Sequence, residues 1–156
     1  MTDAGIREFI TLGADVGGED AHAATHEHIL LLRSLLSREC KKIYSKTIKE
    51  IALVLRIDGS VQSWGKSGVQ NVVFSNRGKI VTADIFMPRE IWSANDSLRL
   101  RDFLLSEVRN AVSLIGDIAQ RRGIELSSSD LARDIQSATE NFCNNMSMNN
   151  RGQATV

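Results

Sequence analysis

Between residues 48 and 92 the apolar side chains fall at every second position, and that period narrows the folds open to the chain more than any other feature. Ile51, Leu53, Leu55 and Ile57 alternate with Ala52, Val54 and Arg56, the pattern of a strand that buries one face. Asp58-Gly59 follows as a two-residue hairpin signal. Residues 61–64 read as a short returning strand, and residues 69–75 as a third. Asn76, Arg77 and Gly78 supply left-handed turn residues. The fourth strand, 79–87, sets Val81, Ala83, Ile85 and Met87 on one face and Ile80, Thr82, Asp84 and Phe86 on the other. Pro88, which cannot donate to a ladder, suits its end. Short connections between successive strands predict an antiparallel meander, because parallel neighbours need crossovers.

Helical sequence flanks this stretch. Ile6, Phe9, Ile10 and Leu12 predict a short first helix before a Gly-rich breaker at 13–18. Ile29, Leu32, Leu35 and Leu36 predict a second over 20–42, capped by Asp20. Ser93, Ala94, Asn95 and Asp96 form a capping signal before the longest helical stripe, Leu100, Leu104, Val108, Ala111, Ile115, Ile118 and Ala119, which stops at Gly123 and has Gly116 as its bending point. A shorter last helix opens at Ser127 and carries Leu131, Ile135, Ala138 and Phe142 inward. The expected fold class is α+β: a four-stranded antiparallel meander packed on the long helix, with an N-terminal helix and a shorter last helix. Residues 1–143 form one domain in this reading, and 144–156 a polar, disordered tail.

Charge and composition remove several functional classes. Nineteen basic residues balance nineteen acidic ones, so no global field draws the chain to nucleic acid or to an anionic membrane. The sequence shows no basic leader and no long apolar run, which points to the cytoplasm. Locally the charge is uneven: Arg38, Lys41, Lys42, Lys46 and Lys49 cluster against Glu39 alone, either as the solvated end of a helix or as a basic patch for an acidic partner. Cys40 and Cys143 read as two reduced, packed thiols.

No catalytic motif emerges. His22 and His26 are spaced for one helix face, and His28 follows, but no local set completes the three or four ligands zinc requires, so they read as surface histidines. No serine lies in a nucleophile elbow, and the glycines at 13–18 lack the Lys-Ser/Thr ending of a phosphate loop. We expect no catalytic residue, no cofactor and no metal. The chemistry that remains is recognition. With Leu53, Leu55, Val81 and Ile85 packed on the helix, Arg56, Thr82 and Asp84 look outward, near Gln70 or Asn71 and with Trp64 or Trp92 close by. Arg and Trp are favoured anchors of interfaces. The candidate partner-binding residues are Arg56, Asp58, Trp64, Thr82, Asp84 and Glu90. The competing reading covers this face with N-terminal helices and pairs Asp84 with Arg56 across neighbouring strands.

The element order, together with the segments Arg56-Ile57-Asp58-Gly59-Ser60-Val61, 68–75 and 80–88 followed by Trp92, resembles the small immunity proteins of bacterial polymorphic-toxin and contact-dependent growth inhibition systems. The resemblance covers residues 47–140. It implies a non-enzymatic cytoplasmic protein, monomer or homodimer, that binds one cognate cytoplasm-acting toxin domain and occludes its active site. Neither nucleic acid nor membrane is an expected partner. The alternatives are a secretion-type chaperone or adaptor, marked by dimerisation through the long helix, and lastly a small enzyme, marked by a pocket gathering Asp84, Glu90 and a histidine.

Overall fold

The period-two stretches do become strands, but the sheet they build is mixed. The computed structural model describes residues 8–14, 23–58, 68–88, 90–91 and 96–154. In chain order these give β1 (Ile10–Ala14), α1 (Ala23–Glu39), β2 (Glu50–Asp58), β3 (Val69–Ser75), β4 (Ile80–Pro88), α2 (Ser97–Arg121) and α3 (Ser128–Ala154). The strands lie in the order β1-β2-β4-β3. β1 runs parallel to β2, with Leu12 opposite Leu53, and β2 parallel to β4, with Leu55 opposite Ile85. Only β3 and β4 are antiparallel.

Two expectations are corrected here. The first predicted helix is instead β1, an edge strand. Ile10 and Leu12 are fully buried and Thr11 and Gly13 half-exposed, and α1 supplies the crossover that parallel pairing with β2 requires. The antiparallel meander is also overturned: β3 does not return alongside β2 but pairs with the far side of β4, and β4 fills the place next to β2. The short strand predicted at 61–64 lies outside the described residues.

One face of the sheet is the core. Ile10, Leu12, Ile51, Leu53, Leu55, Val81, Ala83, Ile85 and Met87 pack with Ile29, Leu32, Leu35 and Leu36 of α1, Leu100, Leu104, Val108, Ala111 and Ile115 of α2, and Leu131, Ile135, Ala138 and Phe142 of α3. Each fully buried Leu, Ile or Phe contributes about 1.5–3 kcal/mol relative to exposure, so this shared face decides the fold. α2 starts where Asp96 accepts the Arg99 backbone N–H at 3.1 Å. It ends at Gly123, whose φ of +70° and the Ile124 N–H bond to the Ala119 carbonyl at 2.8 Å close the last turn. At Gly116 an added Cβ would lie 3.1 Å from Ser128 Oγ, so this glycine lets the start of α3 approach α2. α3 runs on past Cys143 to Ala154. No helix among the described residues is long and apolar enough to cross a membrane.

The α1–β2 connection is held by its own polar atoms. Ser45 Oγ accepts the backbone N–H groups of Thr47 at 3.1 Å and Ile48 at 2.9 Å and donates to the Glu125 carbonyl at 2.5 Å. Tyr44, 1% exposed, donates its hydroxyl to Asp134 Oδ2 on α3 at 2.5 Å and stacks at a tilt on Phe9.

Candidate functional site

The alternation that buries one face of the sheet leaves the other half-exposed. β2 contributes Ala52, Val54 and Arg56, β4 contributes Thr82, Asp84 and Phe86, and β3 contributes Gln70 and Val73. In register, Thr82 stands between Ala52 and Val73, and Asp84 between Val54 and Gln70. Val73 is 50% exposed. A polar group is set within these apolar neighbours. Arg56 Nε lies 2.9 Å from Asp84 Oδ1, while Asn71 Nδ2 donates to Asp84 Oδ2 at 2.9 Å. Both carboxylate oxygens are therefore engaged, one by a charge-assisted bond from the neighbouring strand and one from the edge.

A β-bulge positions Asn71. The β3–β4 register shifts between Gln70 and Val73, and Asn71 adopts φ +55°. Asparagine tolerates the left-handed region better than most residues, and an inserted residue re-aims side chains at a strand edge. This bulge lies in the β3–β4 ladder and bends the edge strand β3, one of the devices that guard an edge against uncontrolled strand pairing.

The structure brings together Arg56, Thr82 and Asp84 of the predicted set. Glu90 turns away to the start of α2, where it meets Arg99 at 3.3 Å. The side chain of Asp58, and the whole of Trp64 and Trp92, lie outside the described residues. The cross-strand pairing of Arg56 with Asp84 is observed, as the competing reading held, yet the helices all join the core on the opposite face. Sequence reasoning missed Val54 and Val73 and the bulge geometry at Asn71. The one local signal was an asparagine inside a run of strand formers.

A buried acid lies beneath the beginning of β3. Glu107, 8% exposed on α2, accepts the Gly68 backbone N–H on Oε1 at 2.9 Å and Asn110 Nδ2 on Oε2 at 3.2 Å. Gly68 in turn accepts the Phe86 N–H at 2.7 Å. An added Cβ at Gly68 would sit 2.5 Å from the Phe86 carbonyl oxygen, so only glycine fits.

The histidines and cysteines among the described residues stand apart from the open sheet face. Among the described residues no group of three His, Cys, Asp or Glu is placed to hold a metal. His26 is exposed, and His22 lies outside the described residues. His28 departs from the expected surface role. It is half-buried against Phe142, its Nδ1 is shut from solvent without a hydrogen-bond partner, and burial lowers its pKa, with Glu27 opposing. Cys40 and Cys143 are free thiols, and burial first, then the Asp134 charge, pushes Cys40 up to about 12, the behaviour of an inert, packed thiol.

Two clefts open on the described surface. One of about 390 Å³ is lined by Glu8, Thr11, Lys49, Glu50, Asn76, Lys79 and Ile80 at the end of the sheet. The other, about 470 Å³, runs between α2 and α3 over Val112, Gly116, Ala132 and Ile135. Neither cleft includes Asp84, Glu90 or a histidine, so the pocket that an enzymatic reading called for is not found in them.

A family model described as immunity protein 12 matches residues 5–136. No curated protein and no solved structure matches the chain. Immunity proteins neutralise toxins and are generally non-enzymatic.

Proposed function

The chain belongs to the immunity protein 12 family, and from that premise we propose that it binds one cognate bacterial toxin domain and neutralises it by covering the toxin's active site with the open face of its sheet. The toxin acts in the cytoplasm, where the immunity protein meets it as one folded domain, and the pair belongs to a polymorphic-toxin or contact-dependent inhibition system. The observation that carries the choice of surface is the half-exposed face built from Arg56, Thr82, Asp84, Val54 and Val73. Apolar side chains there surround an Arg–Asp–Asn group that is already ordered. Such a group presents polar atoms at little entropic cost on binding. Asp58, Trp64 and Glu90, expected from the sequence, stay candidate contacts of the toxin in this proposal.

The reading is tested by expressing the toxin domain encoded beside this chain in a sensitive host. Growth arrest should be relieved by the wild-type chain and restored when Arg56→Ala and Asp84→Ala are combined, with the variant still folded. Full protection by that folded variant would move the binding site elsewhere. No protection by the wild-type chain would remove that toxin as the partner.

A further inference from the structure

Three connections that are distant in sequence meet at one end of the molecule. A Cβ on Gly78 in the β3–β4 turn would lie 3.3 Å from Ile124 Cδ1 in the α2–α3 connection and 3.4 Å from Thr47 Cγ2 in the α1–β2 connection. The backbones are joined as well, with Lys49 N donating to the Lys79 carbonyl at 2.7 Å and Ser127 N to the Tyr44 carbonyl at 2.7 Å. Each connection brings exposed cations: Lys46 and Lys49, then Arg77 and Lys79, then Arg121 and Arg122. Glu8, Glu50 and Glu125 are the acids interspersed among them, and Glu8 also lies 3.9 Å from Arg33. Among the described residues Lys46, Lys49, Arg77 and Lys79 have no carboxylate partner. Among the described residues, six exposed cations against three acids give this end a local excess of positive charge, a basic end.

Two further observations tie the basic end to recognition. Arg77 holds φ +60° next to Asn76 at φ +53°. The left-handed region costs a side-chain-bearing residue about 1–2 kcal/mol, and Arg77 stays exposed in this turn. The cleft of about 390 Å³ also links the two surfaces, because Lys49 and Lys79 belong to the basic end while Thr11 and Ile80 belong to the open sheet face.

We propose that this basic end docks a carboxylate-rich surface of the toxin partner and steers its approach, while the adjoining sheet face holds the complex. The proposal rests on the toxin-binding reading above and adds the chemistry of the partner's surface. A protein is favoured over a nucleic acid for two reasons. The nearby aromatic ring, Phe74, already carries Arg122 4.9 Å from its centroid, so that face is not open for a base to stack on. Glu50 and Glu125 interrupt the cations and would repel a continuous phosphate chain.

Association with the neighbouring toxin domain, measured by stopped flow across a salt series, is the test. Combining Lys46→Glu, Lys49→Glu and Lys79→Glu should slow association about tenfold at low salt and flatten its salt dependence, with dissociation near the wild-type rate. Lys→Gln at the same positions should fall between the two, and unchanged thermal unfolding verifies that both variants are folded. A complex that forms with unchanged association kinetics overturns the basic end and leaves the open-face reading intact. Tight binding of an RNA oligonucleotide that the reversed variant loses also overturns it, in favour of a nucleic-acid surface. If the wild-type chain forms no complex with the toxin domain, the functional reading fails and the docking surface fails with it.

Discussion

Glu107 Oε1 accepts the backbone N–H of Gly68 at 2.9 Å, joining the middle of α2 to the first residue before β3. Gly68→Ala should therefore lower stability by about 1–3 kcal/mol through the clash with the Phe86 carbonyl. Glu107→Ala should cost about as much by leaving a buried donor unpaired, while Glu107→Gln retains an acceptor and costs less. Urea midpoints at constant slope measure all three.

The Arg56–Asp84 pair is partly solvated, with side chains 37% and 17% exposed. Removing either partner should alter folding stability by at most about 1 kcal/mol, yet reduce toxin affinity by about tenfold or more as an interface anchor. A double-mutant cycle on the complex separates their mutual coupling from contact with the toxin. Equal affinity for wild type and both single variants would show that the toxin does not touch this pair.

Tyr44→Phe deletes the hydroxyl that bonds Asp134, leaving that carboxylate Lys42 at 3.6 Å as its partner among the described residues. A hydrogen bond to a charged group is worth about 1.5–3 kcal/mol, so the melting temperature should fall by several degrees. Burial and the Asp134 bond also raise the Tyr44 pKa. Its raised folded value gives stability that is complete below the ordinary 10.0 and is lost as pH rises above it. Tyr44→Phe should reduce the alkaline slope and leave the part that the raised Cys40 thiol contributes, which urea titrations at alkaline pH would record.

His28 behaves in the opposite sense. Burial holds its folded pKa below the ordinary 6.5, so the unfolded chain takes up a proton more readily than the native one. The stability from neutral His28 is complete above 6.5 and is lost as pH falls toward the lower folded value. His28→Leu should flatten the stability profile over this window, and an unchanged slope would assign the acid sensitivity to other groups.

What the sequence disclosed follows from the range of the forces involved. The core faces of β2 and β4 and the stripes of α2 and α3 were legible because burial on one side imposes a period. The direction of pairing was not, since parallel and antiparallel strands share that period. Ile10 and Leu12 fit a helix as well as a strand because a short apolar run matches either period, and β2, far along the chain, decides the matter. Asp58-Gly59 suggested a hairpin from local geometry, whereas β4 wins the place beside β2 by tertiary packing. At the candidate site, Arg56 and Asp84 could be anticipated from alternation. The second bond to Asp84 could not, because it depends on a register shift that brings Asn71 round.

Placing β4 beside β2 also bears on the connection between β2 and β3. The central ladder joins segments from either side of residues 59–67 and β3, so its rungs do not fix the length of that connection. Loop-closure entropy grows slowly with length, about 0.6 kcal/mol for each doubling. A change of length between β2 and β3 therefore leaves the β2–β4 register as it is.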